Sequence, residues 1–210
     1  MLWIILGIIT SYLLGSIPTA YIAGRLLKNI DIRKFGSGNV GATNALRILG
    51  KKAGICVLLF DALKGALAVT FLSDFVLMQV PVLSNDILRI ILGISCIFGH
   101  NWTVFLRFKG GKGVATTFGV LIGLSFKIPG LGAVLSLVFL SWLAVFLVTR
   151  LVSLASMLCC AAMPAFMVLF KQSVPLIIFS LLIAIFIAYR HRSNLIRIFQ
   201  GKEPRLYFKK

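Results

Sequence analysis

Three features of the sequence predict an all-α integral membrane protein with seven transmembrane helices, the N-terminus outside and the C-terminus cytoplasmic. Of its 210 residues 60% are hydrophobic and the mean hydropathy is +1.03, whereas soluble domains are roughly 45–50% apolar. The apolar residues gather in seven runs, near 2–24, 53–74, 87–106, 113–126, 130–148, 153–170 and 174–190. The cations fall in alternate gaps between those runs. So much apolar surface needs lipid rather than a soluble core to cover it.

The runs can be taken in order. The first begins at Leu2 with no basic leader, so a retained membrane helix is expected rather than a cleaved signal. The second is interrupted by Asp61 and Lys64. Their i, i+3 spacing puts both on one helical face. Such groups in a span are costly and usually face the bundle interior. They read as a neutralising pair or as support for a neighbouring loop, with support favoured over direct chemistry. The third run ends at His100. The fourth is short for a hydrocarbon core of about 30 Å, which takes about 20 residues. It is tilted, broken, or fused to the fifth across Lys127-Ile128-Pro129-Gly130. The sixth opens with Ser153 and Ser156 just after Arg150. Helix capping or packing would also explain those serines. The seventh leads into Arg190, Asn194 and Arg197 at i, i+4, i+7, a polar ridge if the helix continues.

Charge tests the count. With the N-terminus outside, the inside gaps and the tail take 18 of the 22 basic residues, and the outside gaps take only Lys127 and Lys171. That asymmetry favours seven helices, and fusing the fourth and fifth runs would spoil it. The whole chain, 1–210, reads as a single domain with no clear internal repeat. The formal charge is +17. On a soluble protein this would suggest nucleic acid, but cations placed between apolar runs fit anionic headgroups and topology instead. Cys56, Cys96, Cys159 and Cys160 lie in apolar runs without zinc or redox spacing, and read as small core residues.

Two inside stretches carry glycines among polar groups. The first is Phe35-Gly36-Ser37-Gly38-Asn39-Val40-Gly41-Ala42-Thr43-Asn44, followed by Arg47. Its hydroxyls, amides and open N–H groups suit a phosphate or a glycerol hydroxyl. The string is formally GxGxxG with Asp61 twenty residues on. A dinucleotide fingerprint needs a βαβ unit, and Asp61 sits in an apolar helix, so that reading is rejected. A flexible turn-rich loop is the plainer alternative. The second stretch runs from Gly99-His100 to Phe108-Lys109-Gly110-Gly111-Lys112-Gly113-Val114-Ala115-Thr116. Successive N–H groups in a tight turn, leading into a helix that starts near Val114, form an anion nest beside fixed positive charge. A basic loop that satisfies topology alone is the alternative there. His100 suits proton transfer or orientation of a hydroxyl, although a histidine at a helix end is more often a satisfied polar residue. Five acids cannot build a metal cage, so no metal and no cofactor are expected. The GxxxxGK[ST] pattern is absent because Gly113 follows Lys112. HxxxxD is absent because Phe105 stands five after His100.

Together these residues resemble the bacterial acyl-phosphate:glycerol-3-phosphate acyltransferase family. The resemblance spans nearly the whole chain. It rests on Gly36 to Asn44 with Arg47, on Gly99-His100 through Thr116, and on His191-Arg192-Ser193-Asn194 with Arg197. Thr103 departs from it, standing where the family commonly has proline. The resemblance implies seven helices and an inside-facing site in a bacterial cytoplasmic membrane. It implies transfer of a fatty acyl group from acyl phosphate to the 1-hydroxyl of glycerol 3-phosphate, giving lysophosphatidic acid and inorganic phosphate at the start of phospholipid synthesis. No metal, acyl-CoA, nucleic acid or obligate protein partner enters that reaction.

For such chemistry Ser37 and His100 are the expected catalytic residues, nearest the reacting carbonyl and hydroxyl. Gly38, Asn39, Gly41, Thr43 and Asn44 of the first loop, with Lys109, Gly110, Gly111, Lys112, Gly113 and Thr116 of the second, are expected to hold the two phosphates. Arg47, Lys112, Ser153, Asn194 and Arg197 are expected to grip glycerol 3-phosphate, with the acyl tail in an apolar groove between helices. A covalent Ser37 is disfavoured, since no Ser-His-Asp relay is apparent. The competing function is a transporter of small anions or phosphorylated metabolites. Transporters, however, usually set their polar sites near the midplane in repeated, broken helices, whereas these loops lie on one face.

Overall fold

The computed structural model describes residues 1–80 and 84–207. The tail cations Lys209 and Lys210 counted above lie outside that range. The described residues form helices and turns in two compact units, Met1–Lys127 and Ile128–Lys210.

The first unit contains α1 (Leu2–Ser16), α2 (Thr19–Lys28), α3 (Ala42–Leu49), α4 (Lys51–Gln79), α5 (Asn85–Asn101) and α6 (Val114–Ser125). The first apolar run is therefore broken. Pro18 has no N–H to donate and disfavours helix in the residue before it, and Ile17 sits at ψ 113°. The break takes the Ile17 carbonyl out of the regular helical ladder; Thr19 N donates to it at 3.1 Å. α1 turns its large side chains outward: Leu2, Ile5, Leu6, Ile9 and Leu13 are exposed while Gly7, Ser11, Gly15 and Ser16 are buried. Lipid tails are as apolar as leucine, so helices in a bilayer associate by close approach and interhelical hydrogen bonds. α1 and α5 do so. A Cβ on Gly15 would collide with the Cys96 backbone, and one on Gly99 with the Tyr12 carbonyl. Ser11 Oγ donates to Leu92 O at 2.6 Å, Ser95 Oγ to Ile8 O at 2.8 Å and Tyr12 OH to Trp102 O at 2.6 Å. α4 meets α6 in the same manner, with Gly65 against the Thr116 carbonyl and Gly119 against the Ala62 carbonyl.

α4 carries a π turn at Ala68–Leu72. The Arg89 guanidinium covers it, with Nη1 donating to Val69 O and to Ser73 Oγ, both at 2.7 Å. Asp74 pairs with Arg89 and with Lys127. α5 stops at Asn101 rather than running to 106. Thr103 builds the turn beyond it: its hydroxyl donates to Ser16 O at 2.6 Å and accepts from Phe105 N at 3.2 Å.

The second unit contains α7 (Leu131–Thr149), α8 (Val152–Leu169), α9 (Val174–Arg190) and α10 (Arg192–Phe199). The fourth and fifth apolar runs are thus separate helices, with Gly130 at φ +79° capping the start of α7. α8 is held between α7 and α9 by buried Met163, Met167, Phe179 and Ile187, and Trp142 Nε1 donates to Ser156 Oγ at 3.2 Å. The chain bends by 59° between α9 and α10. This corrects the expected ridge: Arg190 ends one helix, while Asn194 and Arg197 lie on the next. The tail then folds back, and Leu206 N donates to Arg150 O at 2.9 Å.

Five helices among the described residues are long and apolar enough to cross a membrane, or six if the bent pair forms one span. Val114–Ser125 is apolar but only 12 residues long. The protein is a multi-pass helical membrane protein. Cys96, Cys159 and Cys160 are buried as expected, but Cys56 lies on an exposed face, so it is not a core residue.

Close helix approach makes a specific stability prediction. Gly119→Ala should lower stability in detergent by about 1–3 kcal/mol, the cost of overpacking against a fixed backbone. Gly132→Ala, where a Cβ meets nothing within 4 Å, should be neutral or slightly stabilising. Paired thermal melts check this.

Candidate active site

The polar centre of the first unit lies where the α1–α2 break, the middle of α4 and the end of α5 meet. Lys64 and Asp61 are one turn apart on α4, only 4% and 1% exposed, with Nζ 2.7 Å from Oδ1. Thr19 Oγ1, the first residue of α2, donates to the same carboxylate oxygen at 2.7 Å. Lys64 Nζ also donates to Ile17 O at 3.2 Å and lies 2.9 Å from His100 Nδ1. Asp61 and Lys64 thus form the neutralising pair, and Lys64 is also in direct contact with His100. An apolar slot of about 110 Å³ is lined by Leu14, Ile17, Phe60, Leu63 and Leu67 together with Thr19 and Lys64.

The second glycine stretch folds back over the end of α5. Gly110 N donates to Asn101 O at 3.1 Å and Gly111 N to His100 O at 3.0 Å. Arg107 and Phe108 both take left-handed backbone, φ 54° and 60°. Gly111 presses on the imidazole: a Cβ there would collide with His100 Nε2 and lie 2.9 Å from Val40 O. Val40 belongs to the first glycine stretch, so the two stretches meet at the histidine ring. Lys109 is exposed and Lys112 half-buried. Gly113 caps the N-terminus of α6, where the Thr116 and Thr117 hydroxyls are buried with no hydrogen-bond partner among the described residues.

The first stretch is organised by Asn44, which is buried. Its Nδ2 donates to Phe35 O at 3.1 Å and Asn39 O at 3.0 Å, and its Oδ1 accepts from Ser37 N at 3.0 Å. Gly36 is at φ +60° with Asn44 Oδ1 where a Cβ would stand, so only glycine fits. Ser37 is exposed, Gly38 and Asn39 are half-buried, and Gly41 caps α3, which carries Thr43, Asn44 and Arg47. The Asn44 amide, expected to meet substrate, holds the loop in shape.

The second unit has its own polar cluster, centred on Glu203. Ser153 Oγ and Asn194 Nδ2 donate to Oε1 at 2.7 and 2.6 Å, and Arg197 Nε donates to Oε2 at 2.7 Å. Three residues expected to bind an anion thus converge on one carboxylate, although no sequence pattern linked Glu203 to them. Partial burial pushes the Glu203 carboxyl up, but the Asn194, Ser153 and Arg197 donors outweigh it and hold the carboxyl below its ordinary value.

A family model described as glycerol-3-phosphate acyltransferase matches residues 5–201. The chain is 44% identical over 209 residues to a glycerol-3-phosphate acyltransferase of Macrococcus caseolyticus (strain JCSC5402), covering 99% of both chains. It is 43% identical over 199 residues to one from Prochlorococcus marinus (strain NATL2A), covering 93% of this chain and 94% of the relative. A crystal structure of PlsY (YgiH), an integral membrane glycerol 3-phosphate acyltransferase in its glycerol 3-phosphate form, superposes with a TM-score of 0.84. It has 37% identity and covers 97% of this chain and 96% of that one. The lysophosphatidic acid form superposes with a TM-score of 0.81, at 36% identity, covering 97% and 95%.

A depressed carboxylate stabilises the fold above its unfolded pKa of about 4.3, and that contribution is lost as pH falls through the folded value. Glu203→Gln should therefore melt below the parent at pH 7, and the difference should shrink below roughly pH 4. A melting series against pH checks the sign.

Proposed function

The chain belongs to the glycerol-3-phosphate acyltransferase family, enzymes of phospholipid synthesis, and from that premise we propose that its acyl donor is a fatty acyl phosphate. The 1-hydroxyl oxygen of glycerol 3-phosphate attacks the donor carbonyl, and the new ester C–O bond replaces the anhydride C–O bond. Lysophosphatidic acid and inorganic phosphate leave, the hydroxyl proton departing with the phosphate. The donor is already activated, so the protein has mainly to align the partners and stabilise charge. The observation that carries this reading is the meeting of both glycine stretches at the His100 ring. Two such stretches suit a reaction with two phosphorylated substrates.

Ser37 and His100 stand nearest the reacting carbonyl and hydroxyl. Gly38, Asn39, Gly41 and Thr43, with Lys109, Gly110, Gly111, Lys112, Gly113 and Thr116, hold the phosphates, and Asn44 contributes by fixing its loop. Arg47, Lys112, Ser153, Asn194 and Arg197 grip glycerol 3-phosphate. The acyl tail enters an apolar groove between helices, for which the slot lined in part by Lys64 is the candidate. The chain acts as one domain of seven membrane helices, N-terminus out and C-terminus in, with its site on the cytoplasmic side of a bacterial membrane. The one-sided distribution of basic residues supports that orientation.

Anion transport is the competing activity, and an assay in detergent separates the two. Phosphate should be released from acyl phosphate only when glycerol 3-phosphate is added; no release, or release that ignores the acceptor, defeats the proposal. Acyl-CoA and acyl carrier protein donors, run in parallel, should give no product. Ser37→Ala and His100→Ala should each lower turnover by about 10²-fold or more with membrane insertion intact. Near-normal turnover of purified Ser37→Ala removes that residue from the site.

A further inference from the structure

We propose that Lys64 is a positioning residue that holds His100 neutral with its proton on Nε2, so that the ring offers a donor rather than a base at the seam of the two glycine stretches. A lysine ammonium has three hydrogens and no acceptor. All three have partners here: Asp61 Oδ1 at 2.7 Å, Ile17 O at 3.2 Å and His100 Nδ1 at 2.9 Å. Asp61 holds that ammonium in place and is itself fixed by the Thr19 hydroxyl. Nδ1 must then accept, and in a neutral imidazole an accepting Nδ1 leaves the proton on Nε2. A doubly protonated ring would set a second cation beside the ammonium, and its route to Asp61 Oδ1 is 3.5 Å, beyond a good hydrogen bond.

Nε2 faces Gly111, beside Val40 of the other stretch. An Nε2–H there donates to an anionic oxygen, of a phosphate or of a developing tetrahedral centre, and cannot take a proton from a hydroxyl. This deepens the acyl-transfer reading and rests on it for the nature of that oxygen. The protonation state itself can be read without any turnover.

The chain has only two histidines, and the second is an internal reference. His191 Nδ1 lies 2.9 Å from Ile187 O. A carbonyl only accepts, so His191 carries its proton on Nδ1. The two rings therefore differ at Nδ1, which accepts in His100 and donates in His191. Two-bond 1H–15N correlation spectra of the full-length protein, labelled with 15N-histidine in detergent, distinguish them, and His191→Asn assigns the signals. The expected result is His100 protonated at Nε2 alone and His191 protonated at Nδ1. In Lys64→Met the His100 pattern should lose its single tautomer, with Nδ1 moving toward the protonated position. Asp61→Asn/Lys64→Met should do the same without leaving a buried unpaired carboxylate. A parent spectrum with His100 protonated at Nδ1, or at both nitrogens, overturns the proposal. So does an unchanged His100 pattern in a folded variant. If neither variant folds, the parent spectrum decides alone. Loss of the acyl-transfer reading with Nε2–H intact leaves the tautomer standing.

Discussion

The interaction on which the first unit depends is a buried ammonium with every hydrogen committed. A charge inside an apolar bundle is tolerated only with complete partners, and removing one partner of a buried pair costs on the order of 3–5 kcal/mol. Those partners come from three places far apart in the chain. Asp61 is one turn away on α4, the Ile17 carbonyl stands outside the helical ladder because Pro18 breaks the first apolar run, and His100 arrives on the last turn of α5. The helix break, the i, i+3 spacing and the length of α5 are therefore one requirement. A continuous first helix would keep the Ile17 carbonyl for itself, and a longer α5 would carry its chain past the point where Gly110 and Gly111 return to His100 and Asn101.

Lipid sets the second constraint. It gives no reward for burying leucine, so α1 and α4 keep their large apolar side chains outside and approach their neighbours through glycine, serine and threonine. This close approach also delivers the chemistry. Gly99 lets α1 lie against α5 one residue before His100, and Gly65 lets α6 lie against α4 one residue after Lys64. Packing and site share residues, so neither can drift without the other.

Much of this was legible in the residues. Each of the seven apolar runs contains a helix, the two glycine stretches are loops, and the ionisable pair in the second run was recognisably out of place. What was not legible has physical reasons. Hydropathy averages over a helix break, so Pro18 did not shorten the first apolar run, while the bend at His191 falls just past the seventh, among polar residues whose spacing also fits a continuing helix. The π turn at Ala68–Leu72 shifts the facing of α4 without changing composition, and only Arg89, a buried cation whose partners lie some twenty residues back, marks it. Glu203 follows a Gly-Lys pair that reads as a chain end. Its role needs the tail to return across Ser153, a contact between residues fifty apart that no local pattern encodes. Thr103 makes its turn with a side-chain hydroxyl that caps one way and reaches Ser16 the other.

The two glycine stretches put backbone to work where side chains would be expected, and their asparagines show how. Asn44 closes three hydrogen bonds to the loop that contains it, and Asn101 anchors its own amide on Ile97 O at 2.8 Å while its carbonyl takes Gly110 N. Arg107 and Phe108 meanwhile keep left-handed backbone that costs side-chain-bearing residues of order 1 kcal/mol each. Such a conformation persists only when its surroundings over-determine it. Here Phe108 N donates to Thr103 O at 2.9 Å just before Gly110 and Gly111 make their own returns. A loop held this tightly does not reorganise when charge arrives. For acyl transfer that is the useful property, because donors already in place meet a developing charge without a further reordering cost. The glycines permit the shape, and the asparagines make it permanent.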